Sequence, residues 1–168
     1  MHPWWHYSDR LLAKIQVEVN EEKTRTVDLR GGESFVFLGF EFRRVSSRGG
    51  KWMPLRIPQQ KKRTALLRKL KECFRRARSQ PTDELISTIN PILRGWVAYF
   101  ATGHSSRCFS FIRYWVEKKI RRHLARARLR QGFGWKRWST RWLYAGLGLF
   151  NDYRIRHYAP SPKAAPAG

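Results

Sequence analysis

Acidic residues and cysteines are both scarce in this sequence. Twelve Asp and Glu stand against 35 Lys and Arg, which gives a formal net charge of +23 over 168 residues. The two cysteines, Cys73 and Cys108, are far apart and form no Cys-x-x-Cys pair. A structural zinc site needs about four ligands at recognisable spacing, and the five histidines do not supply it. We therefore expect no metal site and no disulfide.

Long apolar runs are missing as well. A membrane-spanning helix needs about 18 or more consecutive apolar residues, and the sequence has no such run. Residues 1–7 carry Trp and His where a signal peptide has a basic start and an apolar middle. The expected location is the cytoplasm, without a membrane partner. An apolar content of 42% with 14% aromatics argues against wholesale disorder.

The positive charge is concentrated in one part of the chain. Residues 51–141 hold 24 Lys and Arg against 4 Asp and Glu, whereas residues 1–50 hold 8 against 7. A folded segment with that charge density repels itself unless a polyanion neutralises it. Nucleic acid is the natural partner, and nothing indicates a small-molecule substrate. Charge gives only the class of partner, because ribosomal proteins, DNA-binding modules and membrane-surface proteins are basic too.

The first third of the chain has strand patterns. Residues 24–29 predict a short strand, and residues 30–33 a turn. Residues 35–44 predict one long strand whose apolar residues lie on both faces through Gly39, which is typical of a strand covered on both sides. Residues 51–57 predict a third strand, with Pro54 favouring an edge position.

After Pro58 the apolar period becomes helical. The spacing predicts a basic helix ending before Pro81 and a short helix capped by Thr82. Asn90 is predicted to cap a third helix, which ends near residue 101. A fourth starts near residue 105, and residues 140–144 form a short last one. The fold class is therefore α+β, a short antiparallel β-hairpin region followed by a three- to four-helix bundle. The predicted core comprises Phe37, Leu38, Phe40, Leu70, Phe74, Leu93, Trp96, Val97, Phe100, Trp115 and Ile120.

Two motifs resemble those of one family. Residues 90–100 read Asn-Pro-Ile-Leu-Arg-Gly-Trp-Val-Ala-Tyr-Phe, which resembles the signature of the maturase domain (domain X, the thumb) of group II intron-encoded reverse transcriptases. Residues 20–25, Asn-Glu-Glu-Lys-Thr-Arg, and residues 35–40, Phe-Val-Phe-Leu-Gly-Phe, look like the end of the palm of the same enzymes. The resemblance implies an unmatched leader at 1–16, a palm remnant at 17–58, a helical thumb at 59–145 and a tail at 146–168 that ends in disorder.

The polymerase centre of that family is not matched. Such enzymes hold two Mg²⁺ ions with a Tyr-x-Asp-Asp strand and a further Asp, but this chain has four aspartates and no adjacent pair. The resemblance thus implies a truncated or degenerate copy that does not polymerise alone and holds no cofactor, since Mg²⁺ would belong to the missing palm. No catalytic residue is predicted, and whether the chain acts as an enzyme stays open.

The resemblance and the charge pattern together predict the residues that bind nucleic acid. They are Lys23, Arg25, Lys61, Lys62, Arg63, Arg68, Lys69, Arg75, Arg76, Arg94, Tyr99, Lys118, Lys119, Arg121 and Arg122. For the helical cations the alternative is a merely solvated face. Arg94 could instead cap a helix end, and Tyr99 could pack at a rim. The Trp-rich segment 132–145 either packs onto the helices or stacks on unpaired bases.

These observations favour an RNA-binding maturase domain that assists splicing or mobility of a group II intron. Its expected partner is the intron RNA and, as a further partner, an RNA–DNA duplex. Three alternatives stay open: part of an active RNA-directed DNA polymerase completed by a fingers–palm portion, a generic basic module that binds any duplex, and a non-functional pseudogene product.

Overall fold

The structure, a computed structural model, describes residues 27–47, 49–128 and 134–156. A three-stranded antiparallel sheet is followed by four helices within these residues, which confirms the α+β prediction. The strands are β1 (Ser34–Phe37), β2 (Phe40–Ser46) and β3 (Trp52–Pro58), in that order across the sheet. The helices are α1 (Gln60–Arg76), α2 (Thr82–Phe100), α3 (Ser106–Ala127) and α4 (Thr140–Ala145), with a 3₁₀ turn at Ala77–Ser79.

The single long strand predicted over residues 35–44 is wrong, because a tight turn divides it. Leu38 and Gly39 have φ of 48° and 75°, and Phe37 pairs directly with Phe40. Two successive residues with positive φ form a type I′ turn, whose twist suits a two-residue hairpin. Tyr99 of α2 supports this turn, since its hydroxyl donates to the Leu38 carbonyl oxygen at 2.8 Å.

The hairpin turn also changes which side chains are buried. Phe37 and Leu38, both predicted as core, are 59% and 66% exposed, because β1 is an edge strand whose faces nothing covers within the described residues. Phe40, just after the turn, is buried against Phe100 of α2. The predicted strand at 24–29 lies largely outside the described residues, and its described end, residues 27–29, is not a strand.

The two helices predicted over residues 82–101 are one. Helix α2 begins at Thr82, which is not its cap, and continues through Pro91. Proline inside a helix removes one backbone hydrogen bond and costs about 3 kcal/mol, so the buried side chains of this helix, such as Leu85, Ile89 and Leu93, must outweigh that cost. Asn90 does not cap α2. Its Nδ2 donates to the Gly148 carbonyl oxygen and its Oδ1 accepts from the Phe150 N–H, both at 2.8 Å.

The segment after α4 is therefore tied to the helices, at least through residue 156. Leu149 is buried, and Phe150 and Tyr153 pack against the core. The Arg156 N–H donates to the Ala101 carbonyl oxygen at 2.9 Å. The predicted disorder of the end of the tail falls on residues outside the described part.

The core lies between the helices. Of the other predicted core residues, Leu70, Leu93, Val97, Phe100 and Ile120 are buried, while Phe74, Trp96 and Trp115 are half-buried and pack against the core. Phe40 joins a smaller cluster with Val97, Phe100 and Phe109, which connects the sheet to α2 and α3. Among the described residues, no helix is long and apolar enough to cross a membrane, and no group of His, Cys, Asp and Glu side chains could hold a metal ion.

Candidate nucleic-acid interface

A groove between α1 and α3 brings together basic side chains from both helices. Its volume is about 520 Å³. The cations that line this basic groove are Arg68, Lys71, Arg75, Arg78, Lys119, Arg122 and Arg126. They recur at three- and four-residue steps along each helix, so each set lies along one helix face. The cationic sides of the two segments thus face the same groove.

The groove carries a strong positive field because few acidic groups offset its cations. Burial lowers the pKa of Lys119, and the charges of Arg122, Lys71 and Arg126 lower it further. Since Lys71 belongs to α1 and the others to α3, this effect crosses the groove. The one acidic residue that lines it, Glu72, accepts hydrogen bonds from Arg75 at 2.7 Å and Arg76 at 3.2 Å. The Arg75 guanidinium holds the pKa of Glu72 below its usual range.

Two neutral side chains, Phe74 and His123, also line the basic groove. The Phe74 ring meets the rings of Trp115 and His123 edge-on, with centroids 6.2 and 6.5 Å apart. His123 is buried, and burial lowers its pKa. Its imidazole is therefore neutral at pH 7. Phe74 also packs against the helical core, so the groove combines cations with a ring that is part of the core packing.

The predicted binding residues do not all reach this groove. Arg68, Arg75, Lys119 and Arg122 line it. Lys62 and Lys69 line a separate groove between α1 and α2, Lys61 faces the first two strands, and the Arg63 guanidinium lies 4.9 Å from the Phe111 ring centroid. Arg94 is exposed on α2, and Arg76 and Lys118 lie outside the groove lining. Lys23 and Arg25 lie outside the described residues.

Among the predicted contacts that lie in the described residues, Arg121 is contradicted by its burial. Its side chain is fully buried. Its guanidinium donates to Glu117 at 3.1 Å, to the Trp138 carbonyl oxygen at 2.9 Å and to the Thr140 hydroxyl at 3.0 Å. Arg121 faces inward because the Trp-rich segment covers this side of α3. It is a structural residue and has no face for RNA.

Glu117 is the centre of the same buried network. Burial alone would raise the pKa of Glu117, but hydrogen bonds from Tyr144, Arg121 and Arg113 outweigh it and hold the pKa below its usual range. The Tyr144 hydroxyl donates to Glu117 at 2.6 Å, and Arg113 donates at 3.3 Å. Burial and the Glu117 carboxylate together raise the pKa of Tyr144. The network fastens α4 to α3.

The tryptophans of the Trp-rich segment differ in how far they pack onto the helices. Trp138 is buried, so it packs onto the helices. Trp135 is 41% exposed and Trp142 is 37% exposed, and Trp135 has the Arg121 guanidinium 3.9 Å from its ring centroid. One tryptophan of the segment thus belongs to the core, and two retain exposed ring surface.

Three lining cations of the basic groove were missing from the predicted binding set, namely Lys71, Arg78 and Arg126. A sequence signal for them existed. Residues 68, 71, 75 and 78 follow one another at helical spacing, as do 119, 122 and 126. Sequence could not show that these two rows face each other across one groove.

The fold and the groove define a class of protein: a basic helical domain with a small antiparallel sheet, in which seven cations line one groove between two helices. The comparison with protein families relates the helical part of the chain to a known domain. Residues 63–143 match the model described as group II intron, maturase-specific domain. The match covers just under half of the chain and supports a role related to group II intron maturases. The search of curated proteins found no match for the chain.

Proposed function

We propose that the chain binds the structured RNA of a group II intron through the basic groove and thereby assists splicing or mobility of that intron. The observation that carries this proposal is the convergence of α1 and α3 cations in one groove, inside the segment that matches the maturase-specific domain. Double-stranded RNA is recognised mostly through its shape, its phosphates and its 2′-hydroxyls. Lys and Arg side chains along a groove suit such contacts.

The proposed action needs no catalytic side chain from this protein. A protein that binds the folded intron and not its unfolded forms stabilises the fold by mass action. The intron RNA performs the chemistry in that scheme. Participation in an RNA-directed DNA polymerase, together with a fingers–palm portion and on an RNA–DNA duplex, stays a separate prediction from the sequence, as does the palm-like character of the sheet.

Charge reversal on both walls of the groove tests the proposal. Lys71→Glu and Arg126→Glu place one reversal on α1 and one on α3, at exposed positions. Each lost phosphate contact should weaken binding to a group II intron RNA and reduce the slope of log affinity against log salt by about 1. Filter binding or fluorescence anisotropy at several salt concentrations measures both effects.

The matched control reverses one charge on β2 and one in the turn just before β3. Arg43→Glu and Lys51→Glu change the net charge equally but lie away from the groove. If both double variants lose the same affinity, the net charge and not the groove binds the RNA, and the proposal fails. Competition by unrelated duplexes at matched salt distinguishes intron recognition from generic duplex binding.

A further inference from the structure

Two exposed aromatic rings, one on α3 and one in the Trp-rich segment, stack on each other. The Tyr114 and Trp135 rings have centroids 5.8 Å apart and planes only 16° apart. Tyr114 is 54% exposed and Trp135 is 41% exposed, although rings of this size normally bury most of their surface. Together they form an aromatic platform, defined here as Tyr114 and Trp135.

The buried Arg121 side chain supports the Trp135 ring of the platform. The Arg121 guanidinium lies 3.9 Å from the Trp135 ring centroid, so one face of this ring rests on a fully buried side chain. Arg121 is fixed in turn by Glu117 and by the Trp138 carbonyl oxygen. The orientation of the Trp135 ring is therefore fixed, although part of the ring is exposed. A pre-oriented ring loses little conformational freedom when a ligand stacks on it.

A row of cations connects the platform to the groove. Tyr114, Lys118, Arg122 and Arg126 follow one another at four-residue intervals, so they form one row along α3. The Lys118 ammonium lies 5.9 Å from the Tyr114 ring centroid, and Arg122 and Arg126 line the basic groove. The helix rises about 1.5 Å per residue, so Tyr114 and Arg122 are about 12 Å apart along its axis. That length corresponds to about three to four nucleotides at a 3.4 Å rise.

We propose that this platform stacks an unpaired base of the RNA whose duplex phosphates lie in the basic groove. This inference rests on the proposed function and specifies its ligand as a junction between duplex and single strand. Aromatic rings flanked by cations suit an unpaired nucleotide, because the ring stacks on the base while the cations hold the backbone. Every base has a π-face, so the platform should be tolerant of base identity.

Two RNAs that share one hairpin duplex, taken from a group II intron, test the platform. One is blunt, and the other has a single-stranded extension of about five nucleotides, to cover the estimated three to four, with 2-aminopurine near its end as a fluorescent reporter of stacking. The wild-type protein should bind the extended RNA about tenfold more tightly than the blunt one and quench the reporter. Trp135→Leu and Tyr114→Leu should each abolish that preference and the quenching, while leaving affinity for the blunt RNA unchanged.

Trp142→Leu is the matched control, because Trp142 is also a partly exposed tryptophan but contributes no ring to the platform. It should keep both the preference and the quenching. Melting temperatures check folding, and Tyr114→Leu remains informative if loss of Trp135 from Arg121 unfolds the protein. Equal wild-type affinity for the two RNAs without quenching would overturn the platform and leave the groove intact. Failure of the wild-type protein to bind either RNA would overturn the proposed function as well.

Discussion

The sheet and the helices of this protein differ in how they use their apolar residues. The helices bury theirs in a common core that includes Leu70, Leu93 and Ile120. The sheet leaves most of its apolar residues in solvent, with Phe35, Val36, Phe37 and Leu38 exposed in sequence. The charge differs too, since the cations gather on the helices. The helical part thus holds most of the buried core and most of the charge, and the sheet contributes little to that core.

Few contacts attach the sheet to the helices. Phe40 packs on Phe100, and the Gln59 N–H donates to the Gly39 carbonyl oxygen at 2.9 Å. Near the end of β3, the His104 N–H donates to the Arg56 carbonyl oxygen at 2.7 Å. Gly103 permits this close approach, because a Cβ there would lie 2.7 Å from that same oxygen. The difference between the two regions predicts that stability resides in the helices.

The largest effect is expected from Glu117→Ala. The substitution leaves the Arg121 guanidinium fully buried without its carboxylate. Breaking a buried ion pair by removing one partner costs about 3–5 kcal/mol. Urea unfolding measures the loss. Glu72→Ala is the control, since Glu72 pairs with exposed arginines at the surface and its loss should leave the unfolding midpoint nearly unchanged.

Acid should reproduce part of that loss in the wild-type protein. The pKa of Glu117 is lower in the folded state than in the unfolded chain, so its stabilising contribution is present above the unfolded pKa and is lost as pH falls through the folded pKa. Buried His123, whose folded pKa is also lowered, adds a loss that begins higher, as pH falls below its unfolded value of about 6.5. A Glu117→Ala variant with the acid dependence of the wild type would contradict the assignment to Glu117.

The next prediction compares the loss in free energy of unfolding caused by one substitution in the helices and one in the sheet. Leu93→Ala removes a fully buried side chain from the helical core and should cost about 2–5 kcal/mol. Phe37→Ala removes a larger side chain, but one already in solvent, and should change the free energy of unfolding by about 0.5 kcal/mol or less. Equal losses in urea unfolding would show that something covers β1 in solution, and the contrast between sheet and helices would then be wrong.

Much of the helical region could be predicted from sequence, because its apolar residues recur with the helical period. The stripes of α1 and α3 placed Leu70 and Ile120 in the core, where the structure has them. The prediction from sequence was wrong at two places, residues 90–91 and residue 38. Asn90 and Pro91 have the chemistry of a helix start, yet the packing of the surrounding helix continues through them. Leu38 fits an apolar strand pattern, yet the next residue is a glycine that permits a turn.

The candidate site was predictable in composition but not in geometry. A run of cations predicts a basic surface, but it does not distinguish Arg121, which is buried, from Arg122 one residue later. The Trp-rich segment, which lies against one side of α3, decides which of the two is buried. Its Trp138, which accepts from Arg121, is 17 residues further along the chain. Partners at that separation leave no periodic signal. The buried network therefore required coordinates.

The smallest predicted effect concerns the hairpin turn. Leu38 has a φ of 48°, a left-handed conformation that costs a residue with a branched side chain about 1–2 kcal/mol. Asn tolerates it, and Asn-Gly is a favoured type I′ pair. Leu38→Asn should therefore stabilise the hairpin by about 1 kcal/mol, visible as slower hydrogen exchange of the β1–β2 amides. The Tyr99 hydroxyl donates to the backbone oxygen of residue 38, so the substitution retains this hydrogen bond. Leu38→Ala is the control, because Ala has the same conformational cost. If Ala slows exchange as much as Asn, the gain comes from losing an exposed apolar side chain and the turn is not strained.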